Sequence, residues 1–528
     1  MCAMRAGDGR SARAVPRAGF RRGPCGSSSI RVGACALLSD QSFGKKGRQG
    51  MTTGITRRGV LQGAAAVGAL SVGGMSIAGC EQIVENIRNR PVREDITTLN
   101  PTGSTIQTLE QGISAMRALP SSDRRNWTNF ARIHLDFCPH GNWFFLPWHR
   151  AYLFSLERII QELTGNPDFG LPYWNWQKDR SIPSVYWTTS SPLYHANRAA
   201  TASDALPDSA TGPAVISSVL SQTDFELFGS FRSSAPRGGT GGGQAQLERT
   251  PHNYVHGFVG GDMATYMSPL DPIFFAHHNF IDCIWAHWNI DRQNNNTSDS
   301  VWTQYSYTEF PGPGGGSWST TSAATTLMPL LSYRFAESTK GSDTAARQVA
   351  EADRSATRER LERGSRTRLS TQPLTRIQAP ATLRLNQVRT FNLALPAQRM
   401  NQLTAVEPDD QQLLLSLEET EGPNGEDIIL HVFLNNPDAG PDTPTTDPTY
   451  AGLIAFFEDQ AEMDMAQDYI LDITQTVRDL RQRGIIEPGE PIRPNVVAVR
   501  RPTGKVDAQA TVRIGRAQLS IGRPTQVQ

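Results

Sequence analysis

The sequence predicts a mainly α-helical domain at residues 81–340, built as a four-helix bundle, followed by a β-rich sandwich or barrel at residues 379–528. Two observations predict this order. Apolar residues recur at helical spacing in 127–163 and 271–291, whereas the segments after 379 alternate in polarity or are rich in β-branched residues. Residues 341–378 are rich in Arg and Glu with few apolar side chains, which predicts a charged linker between the domains.

Composition limits the classes of partner. The chain has 528 residues, enough to bury a large core. Lys plus Arg and Asp plus Glu both number 51, so the balanced charge gives no support to a nucleic-acid partner, and we expect none. Four of the six cysteines fall in the first eighty residues, which excludes a disulfide scaffold.

The start of the chain has the composition of a targeting segment. Residues 1–50 lack an apolar period and are predicted to be disordered or an over-long gene start, with Met51 as the true start. Residues 51–80 carry the pair Arg57 and Arg58 before a mildly apolar stretch, which resembles a twin-arginine export signal. This predicts the twin-arginine export machinery as a partner and a periplasmic or extracellular location.

The end of that segment leaves three alternatives open. Residues 77–80, Ile-Ala-Gly-Cys, resemble a lipoprotein cleavage box, which would place a lipid on Cys80. The alternatives are ordinary cleavage nearby and a single membrane anchor that stays uncut.

Histidines are concentrated in the predicted helices. Nine of the ten lie between positions 134 and 287. His252 and His256 are four residues apart, so on a helix their imidazoles share one face about 6 Å apart along the axis. His278 lies among the apolar residues of the helix at 271–291, and the segment with His134, His140 and His149 repeats the arrangement. This pattern predicts a metal centre inside the bundle.

The ligand chemistry favours copper. Imidazole suits zinc, copper, iron and nickel, whereas magnesium, calcium and manganese prefer oxygen ligands. The Glu-x-x-His pattern of di-iron bundles is missing from the sequence, and His252 is followed by Asn253 instead of the Glu of a zinc protease motif. Copper is therefore the better fit.

Two signatures in residues 134–291 resemble the tyrosinase and polyphenol oxidase family of dinuclear copper proteins, which includes molluscan haemocyanin. The first signature comprises His140, Phe145, Trp148, His149, Arg150 and Glu157. The second comprises Asp271, Pro272, Phe274, His278 and Asp282. The resemblance implies two copper ions with dioxygen as co-substrate, one ion on His134, His140 and His149 and the other on His252, His256 and His278. It assigns His277 to packing or substrate contact.

The resemblance also implies a role for Cys138, two residues before His140. In family members a cysteine so placed is joined by a thioether to a copper-binding histidine, which would lock the ring of His140 for coordination. A free buried thiol and a disulfide with Cys283 are the alternatives.

Side chains around the ligands are assigned from the same resemblance and from coordination chemistry. A ligating imidazole donates its other N–H to an acceptor, and Asp282 and backbone carbonyls are the candidates. Phe145 and Phe274 are expected to wall the site. The family's usual LPYWDW stands here as LPYWNW, with Asn175 in place of the acid, which puts only a structural salt bridge in doubt.

The activity that the resemblance implies is the ortho-hydroxylation of phenols and the oxidation of catechols to o-quinones. A phenol has a pKa near ~10 and needs a base. Glu248 and Asn253 match the pair that orients a proton-accepting water in family members, although Glu248 could instead be a carboxylate favoured by a helix N-terminus. A catechol oxidase without hydroxylase activity and a haemocyanin-like dioxygen carrier are the competing hypotheses.

The β-rich domain resembles the C-terminal domain of polyphenol oxidase proenzymes, which covers the active site until it is removed. This implies an activating protease acting on the linker. The candidate residue over the second copper is Phe456 or its neighbour Phe457, and the alternative is that both merely pack the β-rich domain.

Overall fold

The structure is a computed structural model that describes residues 90–336, 356–378, 380–394, 411–423, 428–457, 466–487, 489–501 and 510–526. The predicted start at 1–50, the export signal at 51–80 with Cys80, and residues 341–355 of the predicted linker lie outside these ranges. Within them, none of the helices has the length and apolar character needed to cross a membrane.

The N-terminal part is helical, as predicted. Its helices are α1 Ser104–Ala118, α2 Trp127–Phe137, α3 Phe145–Thr164, α4 Asp208–Thr211, α5 Pro213–Ser221, α6 Phe225–Phe228, α7 Asn253–Val259, α8 Ile273–Ala286, α9 Ser300–Thr303, α10 Ser322–Thr325 and α11 Met328–Leu331. Helix α12, Thr474–Gln482, lies in the C-terminal part. Residues 356–363 are also helical. Wider π turns at Glu248–His252 and His287–Asp291 precede α7 and follow α8.

Helix α3 is the centre of the helical domain. Its N-terminal half is buried on every side, and α1 and α8 pack against it. Gly112 of α1 allows the close approach, because a Cβ atom there would lie 2.7 Å from a methyl group of Ile160. The helix ends at Gly165, whose positive φ of 68° is readily adopted by glycine. The side chains of α2, α3 and α8 therefore converge on one interior.

Strands form the C-terminal domain. They are β5 Thr367–Ile377, β6 Ala381–Arg384, β7 Val388–Thr390, β8 Gln412–Glu421, β9 Ile428–Leu434, β10 Tyr450–Ala455, β11 Gln467–Asp472, β12 Pro494–Arg500 and β13 Thr511–Gln526. The numbering starts at β5 because the helical part contains four two-residue strands, β1 Val92–Arg93, β2 Ser306–Tyr307, β3 Thr320–Thr321 and β4 Arg334–Phe335. One sheet has the order β10-β9-β12-β7, and the other β11-β8-β13-β5 with β6 also on β13. Leu415 and Leu417 of one sheet and Leu430 and Val432 of the other share one core. Of the two architectures predicted, the structure has the sandwich.

The predicted linker is shorter than 341–378. Thr367–Ile377 forms β5, which pairs antiparallel with β13 from Ala517↔Ile377 to Gln526↔Thr367. The charged composition of this segment is explained by its edge position, where most side chains face solvent. The β-rich domain therefore begins before residue 379.

The sandwich docks directly on the helical domain. Residues Phe433, Leu453, Ala455 and Val497 of the β10-β9-β12 sheet are buried in the same apolar core as the helices. A sheet whose two faces are both covered shows apolar residues on both faces, and β9 is buried at nearly every position. The outer face of this sheet is thus an interface with the helical domain.

Candidate metal centre

Three histidines from α2, α3 and the loop between them form the first group. His134 lies in the last turn of α2, His140 in the loop and His149 in the first turns of α3. Their ring centroids are 5.5 Å apart for His134 and His140, 5.6 Å for His134 and His149, and 5.8 Å for His140 and His149. One nitrogen of each ring, together with the sulfur of Cys138, falls within 4.8 Å of the others.

The second group comes from the π turn before α7, from α7 itself and from α8. His252, His256 and His278 have ring centroids 4.6 to 5.2 Å apart. The Nε2 atoms of His256 and His278 face each other at 3.0 Å. The two groups adjoin, because the rings of His149 and His278 stack with centroids 4.1 Å apart and planes at 8°.

Backbone carbonyls fix the proton of several rings at Nδ1. His134 Nδ1 lies 2.8 Å from the carbonyl oxygen of Tyr266, His149 Nδ1 2.8 Å from that of Phe145, and His256 Nδ1 2.5 Å from that of Met263. A carbonyl can only accept, so each ring carries its proton at Nδ1 and leaves a bare lone pair at Nε2.

The remaining ring nitrogens satisfy the requirements of a metal site. The Nε2 atoms of His134 and His252 are buried without a hydrogen-bond partner among the described residues. The lone pair of His256 Nε2 faces His278 Nε2, so this contact requires either a proton on His278 Nε2 or a cation shared by the two rings. The donor set is imidazole only apart from Cys138, which fits copper. The structure thus supports a tyrosinase-type dinuclear copper site.

Burial keeps these imidazoles neutral. Burial lowers the pKa of His149 to about 3 and that of His256 to about 4. It is also the main reason why the pKa values of His134, His140 and His278 lie well below the usual value. Neutral imidazole is the form that binds a metal, so no proton has to leave at neutral pH before copper binds.

His277 lies beside the second group but has the wrong proton position for a ligand. Trp176 Nε1 donates to His277 Nδ1 at 3.1 Å. Because an indole nitrogen only donates, the proton of the His277 ring must be on Nε2, the nitrogen nearest to the site. The ring therefore has no free lone pair to offer, in agreement with its assignment to packing.

Cys138 is buried between two ligands. Its sulfur lies 3.5 Å from His140 Nε2 and 3.3 Å from His149 Nε2. Both Cys138 and Cys283 are free, so the disulfide alternative does not occur. Burial raises the pKa of the Cys138 thiol well above its usual value.

Phe145 and Phe274 line the site as expected. The ring of Phe145 lies 4.7 Å from those of His149 and His252, and the ring of Phe274 lies 4.2 Å from that of His278. These apolar rings exclude water from the space around the ligands.

Asp282 does not accept from an imidazole, contrary to the sequence-based expectation. It accepts hydrogen bonds from Arg93, Arg150 and Tyr333. Because Arg150 belongs to α3, the Asp282 carboxylate joins the two metal-bearing helices α3 and α8. Backbone carbonyls and Asn253 serve as the acceptors for the ring N–H groups instead.

Glu248 and Asn253 lie on the same segment but have separate partners. Glu248 is fully buried; its Oε1 accepts from Gly141 N at 2.7 Å and its Oε2 from the Ser230 hydroxyl. Burial raises the pKa of Glu248 to about 8, against the opposing effect of these two hydrogen bonds. Asn253 Oδ1 accepts from His252 Nδ1 at 2.8 Å.

Of the two adjacent phenylalanines, Phe457 is the one at the metal site. Its ring centroid lies 4.8 Å from that of His140, 5.1 Å from that of His256 and 5.1 Å from that of Tyr266. Phe456 packs instead in the interior of the sandwich, 5.5 Å from the ring of Tyr469.

Sequence reasoning missed several residues that support the site. Arg93 is buried between Glu157, Asn279 and Asp282, and its guanidinium carbon lies 3.4 Å from the ring centre of Tyr333. The Gly-rich stretch at 238–243 borders the site, because Gly243 N donates to the carbonyl of Gly141 at 2.6 Å, next to His140. Neither residue type nor spacing carried a signal for Arg93, which lies far from the motifs in the chain.

Comparison with known proteins places this site in a family. The sequence profile for the common central domain of tyrosinase matches residues 124–225 and 194–291. A latent-form chloroplastic polyphenol oxidase of Prunus armeniaca is 28% identical over 256 residues, covering 40% of this chain and 43% of the plant protein. The chain thus spans less than half the length of that plant relative. A tyrosinase of Hahella sp. (strain CCB-MM4) is 26% identical over 419 residues, covering 72% of this chain and 83% of the relative.

Solved structures share the two-part fold. A latent aurone synthase (polyphenol oxidase) superposes with a TM-score of 0.60 at 22% identity, covering 83% of this chain and 90% of the other. Latent apple tyrosinase superposes with a TM-score of 0.58 at 18% identity, covering 82% and 97%. At this identity the likeness concerns the fold. With the profile match across both histidine groups, residues 124–291 are identified as a tyrosinase-type central domain.

Proposed function

We propose that the protein oxidises phenols with dioxygen, hydroxylating monophenols next to their hydroxyl group and oxidising o-diphenols to o-quinones. The observation that carries the proposal is the convergence of six neutral imidazoles in two adjoining groups, joined by the stacked pair His149 and His278. Copper held by these rings supplies the activation of dioxygen. The relatives named polyphenol oxidase and tyrosinase support the same conclusion.

The hydroxylation step depends on a proton acceptor, and Glu248 is the candidate. A phenol has a pKa near ~10 and reaches the site protonated. Burial raises the pKa of this carboxyl to about 8, so in its ionised form it is a stronger acceptor for that proton than an ordinary carboxylate, since general-base strength follows pKa. Asn253 lies five residues further along the same segment, beside His252. Its amide donates to the carbonyl of Ala455 in the docked state, and that N–H becomes free to orient the water through which the proton passes once the sandwich has left.

We further infer that the chain is a proenzyme shielded by its C-terminal sandwich. The ring of Phe457 lies between His140 and His256, in the space that a phenol ring must enter. The sandwich is held there by backbone acceptors on β10 and β11: Thr250 Oγ1 donates to the Leu453 carbonyl at 2.9 Å and Arg249 Nε to that of Ile470 at 3.2 Å. A protease that cuts the linker would release this domain and admit substrate.

The test is to supply the copper-loaded chain with tyrosine and with catechol separately, before and after limited proteolysis and separation of the fragments. We expect quinone from both substrates after proteolysis and little before. Quinone from catechol alone would identify a catechol oxidase, no quinone from either a dioxygen carrier, and equal rates before and after cleavage would reject the proenzyme.

We also propose that Cys138 becomes linked by a thioether to a ring carbon of His140. The sulfur lies 3.5 Å from Nε2 of that ring, and both groups are buried. The bond forms as the thiol and the ring carbon each lose one hydrogen, with dioxygen as the oxidant. Mass spectrometry of the peptide around residue 138 should show the loss of two hydrogens after copper loading in air; an unchanged mass, equal to that of the metal-free control, would reject the link.

A further inference from the structure

Gln244 is a fully buried residue at the boundary between the two domains. Its backbone pairs with β11: the Gln244 N–H donates to the Asp468 carbonyl at 2.7 Å, and its carbonyl accepts from Ile470 N at 3.1 Å. Its side chain points to the helical domain, where Oε1 accepts from Asn253 Nδ2 at 2.7 Å. Gln244 therefore contacts the second metal group through one intermediate residue.

The hydrogen bonds form a directed series from Gln244 to the metal. Asn253 Nδ2 donates to Gln244, so Asn253 Oδ1 is turned toward His252 Nδ1, 2.8 Å away. An amide oxygen accepts, so the ring proton lies on Nδ1 and the lone pair of Nε2 stays free. If the amide of Asn253 were flipped, its N–H would face Nδ1, the proton would move to Nε2, and His252 could no longer bind a metal.

A second acceptor holds Asn253 only while the sandwich is docked. Asn253 Nδ2 also donates to the carbonyl of Ala455 at the end of β10, at 2.8 Å. When the C-terminal domain leaves, that acceptor leaves with it. Of the two acceptors, Gln244 is the one carried by the helical part of the chain.

We propose that Gln244 is a positioning residue that sets the amide orientation of Asn253 and, through it, the tautomer of His252 at the second copper. This rests on the proposed function only in taking the bound metal to be copper.

The hydrogen bonds of Gln244 argue against a purely stabilising role. Its Nε2 is buried without a partner among the described residues, and an unsatisfied buried donor lowers stability. Among the described residues, the Gln244 side chain forms its hydrogen bond with Asn253. Replacing a residue that only stabilises the fold by an apolar side chain of the same shape would lower the unfolding midpoint, whereas replacing a positioning residue would weaken copper retention.

The experiment compares Gln244→Met, which has the same length but no acceptor, with Gln244→Glu, which keeps an oxygen at the same place. Copper retention is titrated with a competing chelator on the intact chain and on the chain cut in the linker, and the unfolding of each metal-free protein is measured in parallel. Because Ala455 also holds Asn253 in the intact chain, we expect Gln244→Met to hold one of its two copper ions more weakly than the wild type there and at least about tenfold more weakly after the cut, with an unfolding midpoint that is equal or higher. Gln244→Glu should recover most of the retention.

Two outcomes would overturn the proposal: wild-type retention of both ions in Gln244→Met, or a lower unfolding midpoint for that variant, which would indicate a structural role. Asn253→Asp provides a second measurement, because a carboxylate presents oxygen in either orientation. When Gln244→Met is added to Asn253→Asp, copper retention should not fall further. An additional loss in the double variant would show that Gln244 does not act on His252 through Asn253. A wild-type chain that binds no copper would reject the proposed function instead.

Discussion

The ring of Phe457 stands edge-on to the imidazole of His140, with centroids 4.8 Å apart and planes at 69°. It also contacts His256, at 5.1 Å, so one side chain of the β-rich domain touches both metal groups. An aromatic ring held there by the packing of a whole domain excludes a second ring from the same space. We therefore expect the position of the C-terminal domain to control substrate access, as the proposed proenzyme requires.

Replacing Phe457 with Ala should raise the rate of catechol oxidation by the uncut chain by about tenfold or more. The substitution removes the ring from the site and weakens docking, since a buried Phe→Ala change costs about 3–5 kcal/mol and each 1.4 kcal/mol is a factor of about ten. Initial rates of quinone formation measure the effect. Phe456→Leu is the control, because that side chain packs inside the sandwich, and its rate should stay low. An unchanged rate for Phe457→Ala would show that the ring does not block access.

Arg249→Met should also activate the uncut chain. The guanidinium of Arg249 is buried against carbonyls of Leu453 and Ile470, and burial lowers its pKa to about 10. Removing it takes one donor from each of these carbonyls, and since Leu453 still accepts from Thr250, the docked state should lose about 1–3 kcal/mol in total. Catechol turnover without protease should rise, and less so in Thr250→Val, which loses a single hydrogen bond to Leu453. Equal rates in wild type and Arg249→Met would assign the docking energy to other contacts.

Relative to the wild type, Glu248→Gln should make the metal-free protein more stable by an amount that grows as the pH rises. Burial raises the pKa of Glu248 from 4.5 to about 8, so the folded chain keeps a proton that the unfolded chain has already released. Between these two values the stability that this group contributes is lost with increasing pH, by about 1.4 kcal/mol per pH unit. Denaturant unfolding of both metal-free proteins at pH 6 and pH ~8.5 tests this. A difference that is the same at both pH values would contradict the raised pKa.

The same substitution separates the two proposed reactions. Because an amide cannot accept the phenol proton, Glu248→Gln should lower tyrosine hydroxylation by about 10²-fold or more, with a much smaller effect on catechol oxidation. Rates with each substrate after proteolysis provide the comparison. If tyrosine and catechol rates fell equally, Glu248 would be supporting the site as a whole.

Asp282→Ala should destabilise the helical domain by about 3–5 kcal/mol, because it leaves Arg93 and Arg150 as buried charges that have lost a carboxylate partner. The unfolding free energy of the metal-free protein measures the change. Glu362→Ala is the matched control: it removes the exposed i,i+4 ion pair with Arg358 and should change stability by less than about 1 kcal/mol. Similar values for both variants would show that the buried network contributes little.

Much of the site could be predicted because its signals are local. Helical spacing in residues 127–163 predicted helical structure where α2, Trp127–Phe137, lies in the structure. The four-residue interval between His252 and His256 predicted that their rings lie on one face. The boundary of the β-rich domain was placed too late, since the charges of β5 are typical both of a linker and of an edge strand. Asp282 was assigned to an imidazole because a motif gives the type of a side chain but not the buried donors that the fold brings to it, here Arg93, Arg150 and Tyr333.

The sequence by itself determined the two domains, the histidines and the copper chemistry, because residue spacing and ligand type are properties of short segments. Only the tertiary structure decided which of two adjacent phenylalanines reaches the site: neighbours in extended chain point to opposite sides, and the docking of the sandwich selects the side that faces the metal. The series from Gln244 through Asn253 to His252 was likewise invisible in the sequence, since hydrogen-bond direction is fixed by the packing of the side chains around it.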